Sequence, residues 1–115
     1  MHSSDRPHRL VFCTVPDEAT AERIARALVE ESLAACVNIL AGLTSVYRWR
    51  GRIEQDSELL LLAKSREDRL AALRDRIRAL HPYELPEIIA VPISDGLEAY
   101  LAWIDENLDT EDPTT

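Results

Sequence analysis

The spacing of apolar positions alternates along the chain between strand-like runs and helix-like stripes. "RLVFCTV" (9–15) is a short, β-rich apolar run that stops at Pro16 and reads as a strand. In "PDEATAERIARALVEESLAAC" (16–36), Ala21, Ile24, Ala25 and Leu28 recur at helical spacing, while Glu22, Arg23, Arg26 and Glu30 face away. Pro16 and the acidic residues after it suit a helix N-terminus. "VNILAGLTSVYRWRGRIEQDSELLLLAKS" (37–65) has no proline, and its β-branched and aromatic content predicts two strands joined by a tight turn near Arg50–Gly51. Arms of up to about a dozen residues exceed the usual ~5–6 and would project beyond a small domain. Ser65, with Asp68 three residues on, resembles an N-cap. Leu70, Leu73, Ile77 and Leu80 then form the stripe of a second helix. In "HPYELPEI" (81–88) two prolines bias His81 and Leu85 toward extended backbone and end that helix. "EIIAVPIS" (87–94) is a further strand, which Pro92 assigns to an edge or a bulge. Asp95 and Glu98 resemble a capping box, and Leu97, Leu101, Ile104 and Leu108 mark a short third helix.

The order β-α-β-β-α-β predicts an α+β, ferredoxin-like fold: an antiparallel sheet with two helices on one face, a long hairpin and an extra C-terminal helix. One domain would span 10–108, between flexible polar tails at 1–9 and 109–115. A sheet with one open face alternates apolar and polar residues. "LVFCTV", "LLLLA" and "IIAV" are instead apolar at consecutive positions, so both faces expect cover. Two helices on one side cannot supply it. Either the third helix and the tails cover the second face, or copies of the chain meet there, and one short helix spans too little of a four-stranded sheet. Burying ~500 Å² of apolar surface per subunit would contribute on the order of 12 kcal/mol before association costs.

Composition narrows the function classes. The net charge of −8 disfavours nucleic acid, whose phosphates call for clustered Lys and Arg. No apolar run reaches the ~20 residues of a membrane span, and "MHSSDRPHR" lacks the apolar core of a secretory signal, so a cytoplasmic location is expected. The two cysteines, Cys13 and Cys36, are far apart and form no zinc-type spacing; both are expected as reduced thiols.

The sequence contains no GxSxG, GxGxxG, P-loop or HExxH pattern. The loop after the first strand, "TVPDEAT", is acidic where a phosphate would need donors. What remains are metal-capable side chains: Cys13 near the end of the first strand, Glu58 in the third and His81 past the second helix. Thiolate, imidazole and carboxylate together suit copper or zinc better than magnesium. The alternatives are structural: a buried thiol, a carboxylate paired with an arginine, and a histidine whose positive form suits the dipole at a helix C-terminus. Tyr47 and Trp49 on the hairpin fit an interface anchor, or are isolated surface aromatics. An enzyme using His81 or Glu58 as a general base would need a pocket and a shifted pKa.

The segments "CTVPDEATAERIARALVEESLAACVNI", "SVYRWRGRIEQDSELLLLAKS", "HPYELPEIIAVPI" and "YLAWI" agree in order with the CutA divalent-cation-tolerance family, which the chain resembles over roughly 10 to 108. The resemblance implies a ferredoxin-like subunit in a homotrimer whose hairpins wrap neighbours, similar to the PII signalling proteins. It also implies copper or another divalent cation, such as zinc, as ligand and no catalytic reaction. The family's metal-binding cysteine matches Cys13, its "HPY" histidine matches His81, and a carboxylate of the third strand matches Glu58. Some members carry a second histidine where this chain has Leu80. Tyr47, Trp49, Lys64, Tyr83 and Glu87 would line the cleft between subunits. The competing expectation is a PII-like signalling module whose cleft takes a small metabolite or a protein partner.

Overall fold

The sheet grows outward from two apolar central strands. In the computed structural model, which describes residues 6–110, β1 (His8–Val15) pairs antiparallel with β3 (Arg52–Arg66), from His8 opposite Arg66 to Val15 opposite Leu59. Strand β2 (Cys36–Trp49) lies along the other side of β3, and the short β4 (Ile89–Pro92) pairs with Arg9–Phe12 of β1. The spatial order is β2-β3-β1-β4 with every pairing antiparallel, which is the expected ferredoxin-like sheet. Pro92 closes the edge strand, where its missing N–H leaves no gap in a central ladder.

Helices α1 (Glu18–Glu30) and α2 (Leu70–Leu80) cover one face. Val11, Cys13 and Val15 of β1 and Leu59, Leu61 and Ala63 of β3 project into a core with Ala21, Ile24 and Leu28 of α1 and Leu73 and Ile77 of α2. Asp17, rather than Pro16, begins α1, its carboxylate accepting from the Thr20 N–H at 2.8 Å. The helix ends at Glu30: Ser32 takes φ 56, and the Leu33 N–H reaches the Leu28 carbonyl at 2.8 Å, a Schellman-type end. The expected helix over 16–36 is therefore shorter, and Cys36 already opens β2.

Two expected helix caps are absent. Ser65 belongs to β3, fully buried, and its hydroxyl donates to the Leu33 carbonyl at 2.6 Å, tying the strand to the α1–β2 connection. A 3-10 turn (Glu67–Arg69) leads into α2 without a side-chain cap. Helix α3 (Glu98–Leu108) likewise starts without one: Leu97 is its N-cap and is exposed, and Glu98 pairs with Arg6 at 3.6 Å. Leu101, Ile104 and Leu108 do form the buried stripe, with Ala35 and Ile93.

An ion-pair cluster fastens α3. Arg66 bonds Asp68 at 2.6 Å, Asp109 at 2.7 Å and Asp105 at 3.1 Å, while His8 Nε2 lies 3.0 Å from Asp105. The guanidinium holds the Asp68 and Asp109 carboxyls below the usual range. His8, expected in a flexible tail, is thus a buried residue of β1, fixed by its ladder to Arg66 and by Asp105. Residues 1–5 and 111–115 of the expected tails lie outside the described residues.

Among the described residues the second sheet face is only partly covered. Leu10 and Phe12 of β1, Leu60 and Leu62 of β3, Leu40 of β2, and Ile89 and Val91 of β4 lie side by side in register. Leu40 and Ile89 are more than half exposed. The hairpin arms, 14 and 15 residues long, outrun β1 and turn at Arg50 and Gly51, both at positive φ as a type I′ turn demands.

A bulge divides β2. Leu40 sits opposite Leu60, but the next pair is Leu43 with Glu58, so Ala41 and Gly42 face a single residue of β3. Gly42 has φ +87 with open space around it, so backbone conformation alone calls for glycine. Beyond the bulge, Leu43, Ser45, Tyr47 and Trp49 oppose Glu58, Asp56, Glu54 and Arg52. Without the extra residue, alternation would turn Tyr47 and Trp49 to the other side. Gly42→Val is expected to lower stability by about 1–3 kcal/mol through strain at that φ, measured as a drop in the denaturation midpoint.

Candidate functional site

Three parts of the chain converge at the end of β1. Pro82 forces the preceding residue into extended backbone, and His81 takes φ −79, ψ 135 as the residue that ends α2. Its N–H still donates to the Ile77 carbonyl at 2.8 Å. The ring therefore leaves the helix axis and turns to β1, where Nε2 lies 2.7 Å from the Thr14 carbonyl. Nδ1 accepts the Tyr83 N–H at 3.1 Å, and the two rings lie 4.7 Å apart. These two bonds select the Nε2–H tautomer and use both ring nitrogens.

Tyr83 carries the network onward, its hydroxyl donating to Glu58 at 2.8 Å. Cys13, 1% exposed, donates its S–H to the same Thr14 carbonyl at 3.7 Å. The three metal-capable residues of the sequence thus lie along one path, from Cys13 through the Thr14 carbonyl, His81 and Tyr83 to Glu58. They do not form a ready ligand cage: among the described residues no three His, Cys, Asp or Glu side chains are grouped as a metal would need. Burial pushes the Cys13 thiol up to about 12, with Glu87 and Glu58 adding to the effect, so the thiolate that a metal prefers is disfavoured here.

Glu58 is the exception to this saturation. Its side chain is buried at 7% exposure, one oxygen holds Tyr83, and among the described residues no Lys, Arg or His lies within ion-pair distance. The arginine pairing open to it on sequence grounds does not form. A buried carboxylate without a cation is costly unless a ligand supplies one.

Glu58 borders a cleft of about 750 Å³ between the overhanging hairpin and the segment 82–87. Tyr47, Trp49, Tyr83 and Glu87 line it, together with Glu84, Leu85 and Arg48, which sequence reasoning did not single out. Lys64 lies elsewhere, its ammonium bonded to Asn38 and 3.8 Å from the Cys36 sulfur. The field in the cleft is negative. Burial and the bond to Glu58 raise the Tyr83 phenol, and the bond to Asp56 is the main cause that pushes the Tyr47 phenol up to about 12. At the mouth, Arg50 stands 5.3 Å over the Trp49 ring and bonds Glu84 at 3.1 Å.

The folded chain keeps the Cys13 proton to about pH 12, whereas the unfolded chain releases it near 9.0. Above that lower value the unfolded state binds fewer protons, so stability falls as pH rises through the window, by up to about 1.4 kcal/mol per pH unit. Cys13→Ala is expected to flatten this alkaline slope in denaturation curves taken across the window; an unchanged slope would contradict the assignment.

A family profile described as CutA1 divalent ion tolerance protein matches residues 9–107. The chain is 55% identical over 98 residues to the divalent-cation tolerance protein CutA of Thermus thermophilus, covering 85% of this chain and 95% of that relative. It is 48% identical over 93 residues to Protein CutA of Homo sapiens, covering 81% of this chain but only 52% of that longer relative. A crystal structure of CutA from Xylella fastidiosa matches with a TM-score of 0.87 at 50% identity, over 90% of this chain and 99% of that one. The ferredoxin-like sheet, the overhanging hairpin and these likenesses agree, and the chain belongs to the CutA1 divalent ion tolerance family.

Proposed function

We propose that this protein supports tolerance of divalent cations by binding them in an assembled homotrimer, with copper or zinc as cargo. The family to which it belongs is described by divalent ion tolerance, and no reaction is part of that description. The observation that carries the reading is Glu58: a buried carboxylate, without a cation of its own, beside an acidic cleft. Cys13 and His81 lie behind it, joined through Thr14 and Tyr83. For them to serve as ligands, His81 must release one of its two hydrogen bonds and Cys13 its proton. Metal uptake through all three is therefore coupled to a local rearrangement and to proton release.

The partly covered sheet face supports assembly. Leu10, Phe12, Leu40, Leu60, Leu62, Ile89 and Val91 form a contiguous apolar surface, and the hairpin adds exposed Val46 and Ile53. Surfaces of this kind mark protein contacts. The cleft of about 750 Å³ favours a second reading, in which it takes a small metabolite in the manner of a signalling module.

Copper and zinc titrations, followed by calorimetry in a His2→Ala background that removes a histidine outside the described residues, test the ligand set. Glu58→Gln is expected to weaken binding by about tenfold or more, since second-sphere and ligand losses in metal sites reach that scale. His81→Ala is expected to act in the same direction. Affinities equal to the parent in Glu58→Gln, His81→Ala and Cys13→Ala alike would refute the assignment. Sedimentation is expected to give a particle of three times the 13.0 kDa chain mass, and a folded monomer would remove the assembly.

A further inference from the structure

We propose that the cleft between the hairpin and the segment 82–87 binds a linear aliphatic polyamine, its ammonium groups held by Glu58, Glu84 and Glu87 and its methylene chain by the rings of Tyr47, Trp49 and Tyr83. The inference rests on the reading of the cleft as a small-molecule site, and it names the chemistry of the occupant. Three carboxylates face one guanidinium, that of Arg48, across the lining. Glu58 is nine-tenths buried and has no protein cation within reach among the described residues. Its charge calls for a positive group from outside.

The rings decide between an inorganic and an organic cation. A divalent metal is satisfied by oxygen, nitrogen or sulfur ligands and gains little from aromatic faces. An alkylammonium gains from both, because its charge is attracted to the ring quadrupole and its carbon chain packs on the same surface. The cleft already presents this pairing to a cation of its own: Arg50 stacks 5.3 Å from the Trp49 centroid while bonding Glu84 at 3.1 Å. Both partners of that ion pair are largely exposed, so the contact is weak and exchangeable. Arg50 is thus an internal competitor beside Trp49 and Glu84, and Glu58, which accepts from the Tyr83 hydroxyl but has no cation partner among the described residues, is the acceptor deeper in. The volume of about 750 Å³ exceeds what a bare ion fills and falls within the range of small-molecule sites.

The test is calorimetric titration of spermidine into chelator-treated, full-length protein in its assembled state at physiological salt. Saturable binding is expected. Glu87→Gln, at an exposed position that leaves the core untouched, and Tyr47→Leu should each weaken it by about tenfold, the scale of one charge-assisted or cation–π contact. Arg50→Asn should strengthen it several-fold by removing the competitor, asparagine being tolerant of the φ of 51 at that turn position. Hexaamminecobalt(III), trivalent like spermidine but without methylenes, should show no saturable site. Absence of saturable spermidine binding, equal binding of the cobalt complex, or affinities unchanged in all three variants would overturn the proposal. If a screen instead finds an anionic or neutral metabolite whose binding Tyr47→Leu abolishes, the cleft remains a small-molecule site and the polyamine assignment falls.

Discussion

A central pair of strands that is apolar on both sides sets the terms for everything else in this protein. One side of β1 and β3 is covered by α1 and α2, and the resulting core is closed. The other side, from Leu40 across Leu60, Leu62 and Phe12 to Ile89, is only partly covered among the described residues, with α3 packed at one end. Apolar surface of this extent is unfavourable in water, and this exposure is the observation behind the proposed assembly. The ion-pair cluster around Arg66 serves the same economy of cover, since it pins α3 against the His8 end and leaves the remainder of the face free.

The overhanging hairpin turns that incompleteness into a site. Past the end of β1, β3 has no neighbour on one side, and Glu58 occupies the place where the ladder stops. Segment 82–87 comes up against it because Pro82 throws His81 out of α2 toward the Thr14 carbonyl. Tyr83 closes the gap with one bond to His81 and one to Glu58. The cleft is therefore framed by a stiff loop and a long two-stranded arm, and its acidity centres on Glu58 and Glu87, which none of the described arginines pairs, while Glu84 is held by Arg50.

Much of the fold was legible in the sequence because each element carries its own period. The strand at 9–15, the stripes Leu70–Leu73–Ile77 and Leu101–Ile104–Leu108, the turn at Arg50–Gly51 and the edge position of Pro92 all depend on local chemistry. The failures were also local signals, overruled by distant ones. Ser65 and Asp68 have the spacing of a cap, yet Ser65 stays in the strand because its hydroxyl finds the Leu33 carbonyl. Glu98 has the spacing of a capping box, yet Arg6 takes it. The site was legible as residue types and not as geometry. Cys13, Glu58 and His81 do lie near one another along a bonded path, but the backbone carbonyl of Thr14 that joins two of them carries no signature in any side-chain pattern. Glu84 and Leu85 were hidden for a similar reason: exposed loop residues acquire a role only when the hairpin overhangs them.

The bulge at Ala41–Gly42 works like a frameshift in a strand. Residues before it are phased to the apolar sheet, and residues after it are phased to the carboxylates of β3. With the register held at the bulge, adding one residue between Gly42 and Val46 would present Val46 and Arg48 where Tyr47 and Trp49 now stand, and deleting one would present Arg48 and Arg50 there. The length of this arm is consequently under a parity rule: it can grow or shrink by pairs of residues and keep its chemistry, and by single residues only at the loss of the aromatic wall.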